Sequence, residues 1–309
     1  MKKVTIKNFA EHFGTDENDF SEKTRELITN IDFSYTEING IERDNLILKI
    51  IKSIEQDQQK IAGEGREETW QRGWSENYEN FINSNYDLKS LIPKFIRPKQ
   101  TIRLNRSYIK PSNQNFEYDF FRVFRYWLFK KYFSDFDNIY EFGCGTGMNL
   151  VELSRIYPEK NIYGSDFVDS AAKLVNKIAE SHNLNIYGFQ FDMLKPNYDI
   201  KIKPNSVVYT FGALEQLASK TEKMLQYLLK NKPRLVIHLE PTIELYNENN
   251  LIDYLAIIFH RKRGYTQGYL PRLQQLEQKG LLEIEKVKRL EFGSMFMEGF
   301  TYIIWRIKE

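Results

Sequence analysis

The chain has 309 residues, a formal net charge of +2, 41% hydrophobic and 15% aromatic residues. Near-neutrality excludes a global field that would steer it to nucleic acid, and the apolar content excludes a disordered chain. There is enough chain for one large domain or two smaller ones. The single cysteine, Cys144, excludes an internal disulfide and a thiolate metal cluster. The start MKKVTIKNFAEHFG has no apolar stretch of signal-peptide type, and no apolar run is long enough to span a membrane. The expectation is a soluble, cytoplasmic protein without internal repeats.

Residues 1 to about 42 are mixed and polar and suggest no role. From Arg43 to Lys60, Leu46, Ile47, Ile50, Ile51 and Ile54 fall on one helical face, until Ala62-Gly63-Glu64-Gly65 breaks the pattern. Trp70 and Trp74 are four apart and share a face if helical. Such a pair is usually core; the alternative is a lid or wall over a substrate. Lys94, Arg97, Lys99, Arg103 and Arg106 follow, with no carboxylate between Asp87 and Glu117. Pro93, Pro98 and Pro111 favour an extended path there. Such a run is a solvated surface, an anchor for a phosphate or carboxylate through Arg97, Arg103 or Arg106, or part of an RNA-binding face. Asn115 to Phe133 carries aromatics on almost every side and reads as a buried helix bridging to a domain that begins near Phe136.

In Asn138 to Leu150 (NIYEFGCGTGMNL), Ile139, Tyr140 and Phe142 read as a short buried strand. The glycine turn leads into a helix with Met148, Leu150, Val151, Leu153 and Ile156 at helical spacing. A strand entering a helix through glycines lets the backbone approach a ligand closely. The spacing is not the dinucleotide G-x-G-x-x-G, because Gly143, Gly145 and Gly147 alternate and Glu141 precedes them by two. This E-x-G-x-G-x-G string resembles motif I of the class I S-adenosylmethionine-dependent methyltransferases. Cys144 stands inside the turn, where a small side chain is needed, and no partnering base marks it as a nucleophile.

Beyond it strands and helices alternate. Ile162-Tyr163-Gly164, Asn185 to Phe191, Ser206 to Phe211 and Arg234 to Leu239 read as further strands, with helices at Ser170–Ser181, Leu214–Lys230 and Asn250–Phe259. Leu282–Leu290 and Gly299–Ile307 read as two final strands joined by a loop at Phe292-Gly293-Ser294. The expected fold is α/β: a Rossmann-like, seven-stranded, mostly parallel sheet with helices on both faces, its last strand antiparallel by the resemblance. Residues 1–135 form a mainly helical, aromatic-rich extension covering the substrate, and 136–309 the cofactor-binding domain, with an insertion at about 241–280.

Ligands of open α/β sheets bind outside the carboxyl ends of the strands. The resemblance implies S-adenosyl-L-methionine there, with Glu141 accepting from its ammonium and Gly143, Gly145 and Gly147 carrying its tail. It also implies Asp166, beside Phe167, on the ribose, Asp192 with Met193 at the adenine, and Phe211-Gly212 along the methyl donor. After Gly212, Gln216 stands where the family often has histidine, and the Asn/Asp-Pro-Pro-aromatic signature of many N-methyltransferases is missing. His260 and Glu240 are candidate bases; Glu240 and Glu244 lack the neighbours that would complete a metal's oxygen shell, so no metal is expected. Trp74, Arg103, Glu215, Tyr246 and Tyr265 are candidate acceptor contacts. The implied activity is methyl transfer to an oxygen of a small or medium acceptor, a sugar or sugar nucleotide, or an anionic acceptor. Alternatives are an RNA or protein methyltransferase and a non-catalytic cofactor-binding subunit.

Overall fold

A computed structural model describes residues 1–58, 62–63, 65–93 and 98–308. The first part runs β1 (Lys2–Lys3), α1 (Ile6–Phe13), α2 (Glu22–Asn30), β2 (Ser34–Glu37), α3 (Gly40–Gln56), α4 (Glu67–Asn83), β3 (Ile102–Leu104), β4 (Ser107–Pro111) and α5 (Phe116–Tyr132). The alternating part follows with β5 (Asn138–Phe142), α6 (Met148–Ile156), β6 (Asn161–Asp166), α7 (Asp169–His182) and β7 (Ile186–Gln190). It continues through β8 (Ser206–Phe211), α8 (Glu222–Asn231), β9 (Leu235–Glu240), α9 (Leu251–Arg263), α10 (Tyr269–Gln278), β10 (Leu282–Arg289), β11 (Phe292–Ser294) and β12 (Thr301–Ile307). None of the helices among the described residues is long and apolar enough to cross a membrane.

The main sheet has seven strands in the order β10-β12-β9-β8-β5-β6-β7. Neighbours from β9 to β7 pair in parallel, and β12 is antiparallel to both β9 and β10, as expected. β5 has β6 on one side and β8 on the other, so the chain reverses its direction of winding across the sheet at β5. That reversal leaves a crevice outside the ends of β5 and β8.

The extension is mainly helical, as expected, but it also carries a small sheet. β1, β2, β4 and β3 form an antiparallel sheet whose fifth strand is β11. Phe292-Gly293-Ser294, read from sequence as a loop, pairs with Leu104-Arg103-Ile102. Gly293 permits this because a Cβ there would stand 2.4 Å from the Gly299 nitrogen. The expected helix Leu214–Lys230 is also divided. A single turn, Leu214–Leu217, ends at Ala218, whose positive φ of 53° no helix continues through, and α8 begins at Glu222.

α5 is buried on almost every side, as its composition required. Phe120 stacks on Phe292 at 3.7 Å between centroids, and Trp127 on Phe13 at 5.0 Å. Phe129 meets Tyr209 of β8, so the same helix packs on the main sheet. Where α5 ends, the buried Lys160 ammonium donates to the carbonyls of Phe133 (3.3 Å), Ser134 (2.5 Å) and Phe136 (2.6 Å), satisfying acceptors of the turn that follows the helix. Phe120→Ala should lower stability by about 3–5 kcal/mol, seen as a reduced urea midpoint at unchanged slope. A loss under about 1 kcal/mol would show that the stack does not join the two parts.

Candidate active site

The site is built on the turn after β5. Gly143 and Gly145 have φ of 80° and 52°, values a side chain strains to adopt. Space is equally restrictive: a Cβ on Gly143 would lie 2.2 Å from the Ala213 Cβ, and one on Gly145 2.9 Å from the Trp74 ring. The Gly143 and Cys144 N–H groups donate to the Ser165 carbonyl at 2.7 and 2.8 Å. Asp166, at the end of β6, accepts from the Gly145 N–H at 3.2 Å and the Val168 N–H at 3.4 Å. Burial pushes its carboxyl up to about 6 against these donors.

A cavity of about 660 Å³ opens beside this turn. Gly143, Asp166, Phe167, Asp192 and Met193 line it from the strand ends, and Gly212 from the segment after β8. Trp74 lines it from α4. These expected residues therefore meet in one place. Sequence reasoning missed Arg66, Gly63, Phe191 and Leu194, and left Trp70 undecided; all line the same cavity, as do Ala213, Gln216 and Leu217 of the segment after β8. The signal for Arg66 was available: Arg66, Trp70 and Trp74 are spaced by four, so one helical face carries all three. Trp70 stacks on Trp74 at 5.4 Å, the Arg66 guanidinium lies 5.1 Å over Trp70, and Arg66 also bonds the Gln216 side-chain oxygen. The tryptophan pair is thus a wall of the cavity and only half-buried.

The other expected residues are placed elsewhere. Glu141 is buried behind the turn, its oxygens taken by Asn149 Nδ2 at 2.6 Å and Tyr209 OH at 2.9 Å, and burial pushes it up to about 8. It does not line the cavity. Gly145 lies under Trp74, and Gly147 starts α6. Phe211 packs on Phe300 at 4.4 Å.

Glu240 is not aimed at an acceptor. One oxygen accepts from Thr210 Oγ1 (2.6 Å) and the Ala213 (3.1 Å) and Leu214 (3.0 Å) N–H groups; the other accepts from the Glu215 N–H (3.0 Å). Burial pushes it up to about 7, while all four donors favour the carboxylate. Behind it the neutral His238 donates from Nδ1 to Thr210 Oγ1 at 2.9 Å and accepts at Nε2 from Tyr269 OH at 2.7 Å. Burial brings His238 down to about 3. Glu240 therefore shapes the turn carrying Ala213 and Gln216.

His260 is fully buried with Nε2 on the Thr266 carbonyl at 2.8 Å, and burial lowers its pKa, so it holds the end of α9 in place instead of facing the cavity. Tyr265 packs against His260 at 5.5 Å, and Tyr246 lies under the Arg289 guanidinium at 4.5 Å, which Asp253 and Glu298 hold in an ion cluster. Arg103 is wholly buried and donates to the Phe296 carbonyl at 3.2 Å. Arg106 pairs with Glu291 at 3.0 Å, and Lys94 and Arg97 lie outside the described residues. Glu215 is buried, accepts from Gln216 Nε2 at 2.8 Å, and lines a smaller cavity of about 310 Å³ shared with Glu240 and His238.

Neither the protein-family models nor the curated proteins contain a match to this chain. Solved structures that resemble it include a SAM-dependent methyltransferase from Aquifex aeolicus, 12% identical, covering 60% of this chain and 89% of that one at a TM-score of 0.43. Another is the plantazolicin methyltransferase BpumL in complex with SAH, 14% identical, covering 86% and 99% at a TM-score of 0.41. The methyltransferase domain of bacterial CtHen1-C is 14% identical, covering 59% and 94% at 0.43. Likenesses this distant decide nothing about activity, which has to be argued from the cavity.

Burial, and after it the charge of Glu240, push Glu215 from 4.5 up to about 8. An acid raised in the folded state binds its proton more tightly there, so its contribution is present below about 4.5 and lost as pH rises through about 8. Glu215→Gln should make stability fall less steeply with pH across that window in chemical denaturation. Equal slopes for the two proteins would contradict this assignment.

Proposed function

We propose that the cavity binds S-adenosyl-L-methionine and that the protein transfers its methyl group to an oxygen of a small or medium acceptor, a sugar or sugar nucleotide. One observation carries the reading: β5, β6, β7 and β8 deliver Gly143, Asp166, Asp192 and Gly212 to the same cavity, at the point where the sheet reverses. The donor set fits the cofactor. Asp166 would accept from ribose hydroxyls and Asp192 from the adenine amino group, with Phe167, Met193 and Leu217 as apolar walls. Gly143 is in close contact with Ala213, a Cβ on it standing 2.2 Å from the Ala213 Cβ, so the segment after β8 packs directly on the glycine turn. Glu141 would act one step back, through Asn149, rather than on the ammonium directly.

When bound, the cofactor supplies an electrophilic methyl on a sulfonium, open to in-line displacement. The chain's own part is alignment and exclusion of water. Glu240 fixes the Ala213–Glu215 turn, and Trp74 closes the glycine turn from above. Neither His238 of β9 nor His260 of α9 lines the cavity, so the reading rests on positioning more than on a strong base. An indole wall with few polar groups suits a sugar ring. The RNA alternative loses support because Arg103, Arg106 and Lys110 of the β3–β4 hairpin are engaged within the protein, Lys110 by Glu42.

S-adenosylhomocysteine should bind in calorimetry and NAD should not. Asp166→Ala should weaken that binding by about 1–3 kcal/mol. Mass detection should find one added methyl on a member of a sugar-nucleotide panel. Binding of NAD in place of S-adenosylhomocysteine, or an Asp166→Ala variant of unchanged affinity, would overturn the assignment.

A further inference from the structure

Most of the cations named above are committed to partners. Arg289 is held by Asp253 and Glu298, Arg263 by Asp57, and Arg106 by Glu291. Arg66 differs. It faces the cavity, its charge meets no carboxylate at ion-pair distance among the described residues, and its one side-chain hydrogen bond goes to the neutral amide of Gln216. Its Nε is shut off from solvent and has no hydrogen-bond partner among the described residues, a condition shared with nitrogens of the buried Arg103 and Arg125, neither of which lines the cavity. A donor left unmet in this way is costly to bury. Arg66 also immediately precedes α4, the end of a helix that disfavours a cation, so helix stability does not account for it.

The groups facing it are Tyr265, Arg263 and Glu215. Glu215 is pushed up by its burial and makes no ion pair with Arg66; its side chain accepts from Gln216 Nε2 instead. A flat, forked cation with open donors beside an indole face is suited to a carboxylate or phosphate.

Accepting the cavity as a methyl-transfer site, we propose that Arg66 recognises an anionic group, a carboxylate or phosphate, on the acceptor. The cofactor's own carboxylate is the other source of this chemistry, and the stacking order argues against it. Trp74 touches the glycine turn, Trp70 lies 5.4 Å beyond Trp74, and Arg66 lies 5.1 Å beyond Trp70. Two ring spacings therefore separate the guanidinium from the turn that would hold the cofactor tail. Arg66 joins instead the Gln216 end of the segment after β8, to which the Gly63 N–H also bonds at 2.7 Å. The acceptor class narrows accordingly to sugar phosphates, sugar nucleotides or sugar acids.

The test uses the full chain as wild type, Arg66→Gln and Arg66→Lys, with melting temperatures to confirm folding. Calorimetry follows S-adenosylhomocysteine, then 5′-methylthioadenosine, which lacks the amino-acid tail, and then inorganic phosphate added to the S-adenosylhomocysteine complex. The expected result is wild-type phosphate binding, weakened tenfold or more in Arg66→Gln and partly kept in Arg66→Lys, with S-adenosylhomocysteine affinity within about twofold throughout. Phosphate binding that is absent, or equal in all three proteins, overturns the proposal. If Arg66→Gln loses affinity for S-adenosylhomocysteine but not for 5′-methylthioadenosine, the guanidinium serves the cofactor and the acceptor role is refuted. A wild type that binds neither nucleoside defeats the methyl-transfer reading itself, an outcome distinct from the others.

Discussion

The indole of Trp74 rests on Gly145, and the cavity depends on that contact. Gly145 can be covered only because no Cβ intervenes; a methyl group there would meet the ring at 2.9 Å. The contact joins the first part of the chain to the centre of the sheet. From it a ladder rises through Trp70 to Arg66 and closes on Gln216, so one wall of the cavity comes from residues some seventy positions before the glycine turn. Thr146 Oγ1 donates to the Leu91 carbonyl at 2.7 Å, and Ser170 Oγ to the Gln71 carbonyl at 3.3 Å, holding the cover beside the strand ends. A binding site made this way needs both parts of the chain to be folded.

Three buried acids near the strand ends show how environment assigns different tasks to one residue type. Glu141 is held between Asn149 and Tyr209 and orders the start of α6. Glu240 collects four donors and fixes the turn after β8. Asp166 pins the glycine turn and still faces the cavity. Burial raises all three, and hydrogen bonds oppose it in each. Of the three, only Asp166 lines the larger cavity.

The strands and the glycine turn were legible because their signals are local: apolar runs, helical spacing and three alternating glycines. The placement of Asp166 and Asp192 followed, since a strand end points to the crevice wherever the sheet is parallel. What failed depended on distant partners. Nothing near Phe292 indicates that it pairs with Leu104, and nothing near His260 reveals that its ring nitrogen will meet the Thr266 carbonyl. The helix break at Ala218 reflects a left-handed residue without glycine's signature. Arg103 seemed available because its run lacked acids in sequence, but the fold buries it near residues of the chain's other end.

The central claim is that the strand ends and the α4 wall together form an S-adenosyl cofactor site. A crystal structure of the protein with S-adenosylhomocysteine tests it most directly. The ribose hydroxyls should lie on the Asp166 carboxylate, the adenine amino group at Asp192, and the tail beside the Gly143 turn. Ligand density elsewhere, or an adenosine that touches neither Asp166 nor Asp192, would contradict it.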